Sequence, residues 1–483
     1  MAKQKSLKLN FIMNAILTMS GFLFPLITFP YVSRVLLPVG TGRVSFANSV
    51  VTYFVMISQL GIPTYGIRAC AVVRDNPVKL KKTVYELFII NVFMSILAYI
   101  VFFIAMASVP RLRADRNLFL ITSTLIFFNT IGVEWLYKAL EQYTYITVRS
   151  IIFKFIALIA MFVLVRDVDD YVIYGGISIF AASASNVFNF LRLRKILGKG
   201  KVSGLNLRRH FKPVFTFFII SCATTIYTNL DNVMLGFMKD DIEVGYYNAA
   251  TKIKNILVSI VTSLGTVLMP RAAYYIEQEN WKEFYKLSKK AIKFVLIAAT
   301  SMMVYFMIYA REGVYFLSGD AFEGAVVPMM IVMPTLLFIG LTNIMGIQML
   351  IPMGLENAVM ISTFAGAIVD LIINAILIPV LGSSGAAMGT LVAECVVLVV
   401  QLVYLKKDIA YLYSRQSYLK IIIALIVASA GAFMVKALVS GVFMKLVISA
   451  VLFFGLYVIM LYIMREEVIR ENVDRVLSRF IRK

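Results

Sequence analysis

Long apolar runs separated by short charged clusters occupy almost the whole chain. An apolar run of about 20 residues can cross the hydrocarbon core of a membrane as a helix. The pattern predicts fourteen such spans, at residues 11–33, 44–66, 87–109, 117–137, 143–165, 171–191, 213–237, 245–270, 291–310, 324–351, 358–381, 384–405, 419–438 and 443–464. Barrel strands would alternate apolar and polar residues over about 10 positions. The predicted fold is therefore an all-α polytopic membrane protein.

Composition excludes several other classes of protein. Of the 483 residues, 60% are hydrophobic and only 15% are charged, whereas soluble domains carry about 25% charged residues. The three cysteines are far apart and the chain has one histidine, His210, so neither a disulfide framework nor a zinc site is expected. No G-x-x-x-x-G-K-[ST] phosphate loop is present. We expect no metal, no cofactor and no ATPase or other enzyme activity.

In a soluble chain a net charge of +21 would suggest a nucleic-acid partner. In a membrane protein the distribution of basic residues between the two sides of the membrane has to be considered first. With fourteen spans and both termini cytoplasmic, the inner loops carry 33 Lys and Arg and the outer loops 10. This bias follows the positive-inside rule. It predicts a multi-pass protein of the plasma membrane with cytoplasmic termini, whose basic loops meet anionic membrane lipids. No nucleic-acid partner is expected.

A short motif occurs twice and indicates an internal duplication. The second span begins at Gly42 and ends at Arg68, and the eighth begins at Gly245 and ends at Arg271, which is 26 positions in both cases. Spans one and seven have the same predicted direction. The two halves would then be parallel repeats related by an axis along the membrane normal, although small residues at helix ends are common enough to arise by chance.

Four stretches resemble the Wzx-type oligosaccharide flippases of the polysaccharide transporter family, in the multidrug/oligosaccharidyl-lipid/polysaccharide flippase superfamily. They are Ser33–Gly42, Leu60–Arg68, Asp231–Gly236 with Gly245–Ile253, and Asn374–Pro379 with Gly385–Ala387 and Glu394. The resemblance implies two six-helix lobes around a central cavity. The lobes would be residues 1–210 (spans one to six) and 211–406 (spans seven to twelve), followed by spans thirteen and fourteen and a cytoplasmic amphipathic tail within 407–483.

The same resemblance implies a function. The protein would move a polyprenyl-diphosphate-linked sugar, the repeat unit of a cell-envelope polysaccharide, from the cytoplasmic to the outer leaflet by alternating access. Further expected partners are a coupling ion, H⁺ or Na⁺, and the polysaccharide polymerase machinery.

Cations within or at the ends of spans are the candidates for binding the diphosphate, because a charge near the bilayer centre costs roughly 2.5–3.5 kcal/mol. Arg34, Arg68 and Arg271 end the first, second and eighth spans. An arginine fork suits phosphate oxygens, but arginines at helix ends also reach lipid headgroups. Lys154 lies near the middle of the fifth span with no acidic residue one turn away, which favours a place in the cavity.

Lys252 and Lys254 lie about two turns into the eighth span. Two positions on a helix differ by about 200°, so both lysines cannot face one cavity directly. One of them is expected to pair with Asp231 near the outer end of the seventh span, and the other to face the cavity or a lobe interface.

Asp370 and Glu394 fall near the midpoints of spans eleven and twelve. These consecutive antiparallel helices could bring the carboxylates together as a coupling or gating relay for H⁺ or Na⁺. The alternative is that each carboxylate neutralises a buried lysine.

Two other functions compete with the flippase hypothesis. A drug/cation antiporter of the same superfamily should favour acidic cavity residues, whereas this chain offers at least as many basic ones. A membrane scaffold or glycosyltransferase subunit would need metal or nucleotide sites in a sizeable loop, and no predicted loop exceeds roughly 25 residues.

Overall fold

The computed structural model describes residues 7–198, 203–412, 415–471 and 473–474, whose regular structure is entirely helical. Within these ranges eleven helices are long and apolar enough to cross a membrane, and the bent pair Asp320–Val332 and Thr335–Leu350 makes up to twelve. This confirms the all-α polytopic fold. The count of fourteen stays a prediction, compatible with the structure because the 61 residues of Ile12–Val72 could cross twice and α5, Arg116–Gly132, is nearly span length.

Contacts divide the chain into two compact units, residues 1–245 and 246–483. The first unit contains α1 Leu7–Gln59, α2 Ile62–Val72, α3 Pro77–Ser108, α4 Pro110–Ala114, α5 Arg116–Gly132, α6 Glu134–Ala139, α7 Tyr143–Leu164, α8 Tyr171–Ile179, α9 Asn186–Leu197 and α10 Arg208–Met238, with a 3₁₀ turn at Val168–Asp170 and a π-helical turn at Phe180–Ala184. α11, Asp241–Glu277, begins in this unit and continues into the second. The lobe boundaries expected from the duplication stay a prediction.

The first long helix, α1, packs against α3, α5, α7 and α10 in the first unit. Helical structure continues through residues 34–43, which the hydropathy pattern leaves between the first two spans, but it is broken there into two helices. A kink at Leu37 (φ 57°, ψ −177°) replaces the expected loop. Leu37 precedes Pro38, and proline disfavours helical dihedrals in the residue before it, which accounts for the position of the kink.

Two other predicted spans each contain a break between two helices. Within 44–66, α1 ends at Gln59 and α2 starts after Gly61, whose φ of 73° favours glycine. Within 117–137, α5 ends at Gly132 and Val133 takes a left-handed conformation. The Gly132 carbonyl accepts a hydrogen bond from Asn189 Nδ2 at 2.7 Å, so the freed acceptor at the break is satisfied.

The two glycines paired by the predicted duplication meet each other in the first unit. A Cβ on Gly42 would lie 1.7 Å from the Asp241 carbonyl oxygen, and one on Gly245 would lie 2.2 Å from the Pro38 carbonyl oxygen. α1 and the start of α11 therefore touch through their backbones, and the contact requires both glycines.

We predict that Gly42→Ala lowers the melting temperature of the purified protein, because the new methyl group must push α11 away at a cost of about 1–3 kcal/mol. Gly21→Ala on the same helix is the matched control, since a Cβ there meets nothing within 4 Å. Alanine should stabilise a helix interior by about 0.5–1 kcal/mol over glycine. Equal melting temperatures for the two variants would contradict the close approach at Gly42.

The second unit is built from the rest of α11 and nine further helices. They are α12 Trp281–Ile308, α13 Ala310–Ser318, α14 Val326–Val332, α15 Thr335–Asn343, α16 Glu356–Leu381, α17 Ser383–Tyr404, α18 Ile409–Leu412, α19 Arg415–Leu438 and α20 Val442–Ile463, with a 3₁₀ turn at Asp320–Ala325 and a π-helical turn at Ile344–Leu350. The predicted span 324–351 is bent by 46°. The bend falls at Pro334, whose backbone nitrogen carries no hydrogen and so cannot donate the helical hydrogen bond.

The last two spans, α19 and α20, are tied to α12 and the residue after it by buried tyrosines. Tyr305 donates to the Leu446 carbonyl at 2.8 Å, Tyr309 to the Ala432 carbonyl at 2.5 Å and Tyr457 to the Ile297 carbonyl at 3.2 Å. These bonds fix the predicted extra helices to the second unit. Residues 475–483 of the predicted amphipathic tail lie outside the described residues.

Candidate functional site

Lys154 is held inside the helices of the first unit. It lies on α7, is half-buried, and donates a hydrogen bond from Nζ to Ser20 Oγ of α1 at 2.8 Å. Ser20 in turn donates to the Leu17 carbonyl at 2.7 Å. A single polar bridge thus anchors the ammonium between two apolar helices while part of the side chain stays accessible. The ammonium keeps donors that could bind an anion.

The two predicted arginines of the first unit lie at other positions along the same helices. Arg34 is exposed and folds back so that Nη1 donates to the Pro30 carbonyl at 2.5 Å. It lies 14 positions beyond Ser20 on α1, about 21 Å at the helical rise. Arg68 is exposed near the end of α2. Arg34 therefore lies well apart from the contact of Lys154 with α1, and Arg68 lies on a separate helix.

The second unit carries the other three predicted cations on α11. Lys252 and Lys254 are both half-buried, on different faces of the helix. Nearby, Tyr247 hydrogen-bonds Thr390 of α17 at 2.8 Å, which ties this part of α11 to the helix that carries Glu394. Arg271 lies about 25 Å further along α11 than Lys254. It is exposed and binds its own neighbour Tyr275, with Nε 3.0 Å from the hydroxyl.

The three predicted acidic residues are all buried. Asp231 on α10 belongs to the first unit, and Asp370 on α16 and Glu394 on α17 belong to the second. A Cβ on Gly389 of α17 would lie 3.0 Å from Asp370 Oδ1, so this carboxylate points at α17. Glu394 lies five residues beyond Gly389, about 7.5 Å along the axis. The structure thus places both acids on one tightly packed helix pair.

Sequence reasoning missed an ionic cluster of Arg43, Arg111, Asp115, Tyr171 and Asp241 beside the glycine contact in the first unit, here called the Arg43 cluster. Arg43 lies 3.4 Å from Asp241 and 3.8 Å from Asp115. Arg111 binds Asp241 and lies 4.0 Å from Asp115. Tyr171 donates to Asp115 at 3.1 Å. All five residues come from or beside predicted outer loops, and only the fold shows that these loops meet.

A second missed group, the Glu86 cluster, joins Tyr65, Glu86, Asn206, Arg209 and His210 in the first unit. Glu86 is fully buried and accepts hydrogen bonds from the Asn206 amide at 2.6 Å and from the Arg209 guanidinium. His210 Nε2 lies 2.9 Å from Glu86, and His210 Nδ1 lies 2.9 Å from the Tyr65 hydroxyl. The start of α10 is thereby fastened to α2 and α3.

The two clusters lie at opposite ends of one stretch of chain. Tyr65 follows Arg43 by 22 positions, and the 16 positions from Arg43 to the end of α1 at Gln59 already span about 24 Å at the helical rise. The hydrocarbon core of a bilayer is about 30 Å thick. The stretch between the two clusters is therefore long enough to cross most of a bilayer.

We predict that Glu86→Gln destabilises the purified protein by about 1–3 kcal/mol, because it removes the charged acceptor shared by Arg209 and His210. Glu141→Gln is the control, since its ion pair with Arg74 lies at the surface with both side chains more than a third exposed, and surface pairs contribute little. Thermal unfolding in detergent compares the two variants. Unfolding of both at the wild-type temperature would show that the Glu86 cluster does not hold α10 in place.

Sequence comparison identifies the family. The family model described as "Polysaccharide biosynthesis protein" matches residues 7–276, and the MatE model matches residues 217–376. The chain is 26% identical over 412 residues to a protein of Escherichia coli (strain K12) named "Putative O-antigen transporter", covering 83% of this chain and 97% of that one. A protein of the same name from Shigella dysenteriae is 22% identical over 403 residues, covering 82% and 99%.

Solved structures agree on the fold. The structure titled "Lipid II flippase MurJ, inward closed conformation" matches with a TM-score of 0.73 at 16% identity, covering 94% of this chain and 98% of that one. An inward-facing multidrug resistance MATE transporter of the MOP superfamily matches with a TM-score of 0.64 at 13% identity, covering 83% and 98%. The resemblance seen in the sequence motifs is confirmed: the chain is a multi-span membrane transporter of the MOP superfamily and belongs to the polysaccharide biosynthesis protein family.

Proposed function

We propose that the protein is a flippase that carries a polyprenyl-diphosphate-linked oligosaccharide from the cytoplasmic to the outer leaflet of the plasma membrane. Similarity over 83% of the chain to a protein named "Putative O-antigen transporter" and the fold shared with a lipid II flippase support this proposal. The single observation that carries it is Lys154, a half-buried cation bridging two apolar helices through Ser20. Such a cation is costly in a membrane unless it meets an anion.

The cargo has three chemically distinct parts that need different surroundings. The diphosphate needs cations, for which we propose Lys154 and Arg34 together with Arg68, Lys252, Lys254 and Arg271 as the cargo changes depth. Charge-assisted bonds to phosphate are about twice as strong as neutral ones. The glycan needs a wet path and the polyprenyl tail a lipid-exposed one, so cations at several depths suit a cargo that moves between leaflets.

Both termini are proposed to be cytoplasmic, with the Arg43 cluster at the outer end of the first unit and the Glu86 cluster at the inner end. The basic-residue count of the loops supports this orientation. The Arg43 cluster is held by ion pairs and hydrogen bonds among four charged side chains and Tyr171, and such bonds can part and re-form, as an outer closure requires for alternating access.

Asp231, Asp370 and Glu394 are proposed as the coupling and gating residues, exchanging H⁺ or Na⁺ as cargo moves. Their burial supports this role, because a membrane-buried carboxylate commonly marks an ion path. The flipped units are proposed to pass to polysaccharide polymerase machinery at the outer leaflet.

A drug/cation antiporter remains the second candidate function. The MatE match over residues 217–376 favours it, since that region contains the buried Asp231 and Asp370, and buried carboxylates would attract a cationic drug.

Reconstitution in liposomes separates the two functions. Fluorescent polyprenyl-diphosphate sugar in the inner leaflet should become accessible to an external quencher, while a trapped cationic dye should stay inside. Protein-dependent efflux of the dye without movement of the lipid-linked sugar would contradict the flippase proposal and favour the antiporter.

A further inference from the structure

A lateral cavity between α3 and α9 in the first unit contains none of the residues proposed to bind or couple transport of the cargo. Its volume is about 520 Å³. Its lining includes Phe88 of α3 and Phe190, Leu191, Arg194, Leu197 and Gly198 of α9 and its end. Leu191 is 67% exposed and Phe190 is 43% exposed. Large apolar side chains thus form an open groove rather than a packed interface.

The groove has one polar end and one apolar end. At the polar end Lys81 Nζ donates to the Gly198 carbonyl at 3.1 Å and closes the gap between the two helices. Towards the other end the rings of Phe88 and Phe190 lie 6.1 Å apart. Phe190 and Leu197 are separated by about 10 Å along α9, so the groove is elongated along the helix axis.

Arg194 is the one charged side chain in the lining. It is exposed, and within the described residues no carboxylate lies within ion-pair distance of it. Its neighbour Arg192 differs, since its guanidinium stacks over the Tyr145 ring at 4.2 Å. An apolar groove with a single available guanidinium at its edge is complementary to an amphiphile with an anionic head.

We propose that this groove binds a resident anionic phospholipid, with one acyl chain between α3 and α9 and the phosphate at Arg194. Arg194, Leu197 and Gly198 of the lining belong to the stretch 192–212 that the basic-residue count assigns to the cytoplasmic side, where the leaflet is anionic. The leaflet assignment rests on the proposed orientation. Binding itself does not depend on the proposed transport function, so the site can be tested without a transport assay.

Native mass spectrometry of the purified full-length protein tests the site. With equal amounts of phosphatidylglycerol and phosphatidylcholine, wild type should retain phosphatidylglycerol preferentially. Arg194→Gln should weaken this retention about tenfold, the effect of losing one charged hydrogen bond. Lys195→Gln is the matched control, because it removes the same charge from the next residue of α9, which does not line the cavity. Equal retention by the two variants would overturn the proposal.

Filling the groove provides an independent readout. Leu191→Trp places a larger side chain at an exposed edge, where it should fold normally and still reduce retention of both phospholipids. Unchanged retention in this variant would place the lipid elsewhere. An equimolar polyprenyl diphosphate should not displace phosphatidylglycerol; displacement would assign the groove to the transported lipid and overturn its assignment to a resident phospholipid.

Discussion

Lys154→Glu and Arg34→Glu should each reduce transport of the lipid-linked sugar about 10- to 100-fold, the effect of losing a charged hydrogen bond to phosphate. The reversed charge at position 154 would also repel the diphosphate from the space between α1 and α7. Cell-surface polysaccharide in a strain lacking its own flippase measures the loss, and immunoblotting of membranes measures abundance.

Controls separate binding from folding in this experiment. Lys154→Arg retains a cation that can still reach Ser20, so it should keep most of the activity. Lys239→Glu changes an exposed cation beyond the end of α10 and should leave transport unchanged. Normal membrane abundance with full activity in both charge-reversal variants would refute the cationic cargo path.

Neutralising Asp370 and Glu394 together, as Asp370→Asn with Glu394→Gln, should abolish gradient-driven transport while leaving cargo binding intact. Each replacement keeps the shape of a side chain buried on α16 or α17 and removes the charge that would exchange an ion. Transport into liposomes with and without an imposed proton or sodium gradient measures the effect.

Glu356→Gln provides the control on the same helix, because Glu356 is exposed at the start of α16. It should show the wild-type response to the gradient. If the double variant responds to the gradient as wild type does, the two carboxylates serve structure and the coupling site lies elsewhere.

The helices were predictable because the membrane imposes a length and an apolar composition that can be read directly from the chain. The kinks and breaks within those helices could not be predicted in the same way. Pro25, Pro30 and Pro38 all lie inside α1, yet the one non-helical residue is Leu37, before Pro38. The residues before Pro25 and Pro30 stay helical, so the sequence alone does not distinguish which proline produces the kink.

The candidate site was predictable only where a charge stood alone in an apolar run. Lys154 stood out for that reason, and its contact with Ser20 gives it a defined place. Arg43 and Asp241 gave no such signal because they lie at span ends, where charges are expected. Their pairing depends on which helix ends meet, and the nearby Gly42 and Gly245 were the only local hint of that contact.

The central claim is that cations within the helices recognise the diphosphate of a lipid-linked sugar and move it across the membrane. The most direct measurement compares two probes in liposomes containing the purified protein, a polyprenyl-diphosphate sugar and the same sugar on a neutral polyprenol. Leaflet exchange should be fast for the diphosphate probe and close to the protein-free rate for the neutral one. Equal protein-dependent rates for the two probes would contradict the claim.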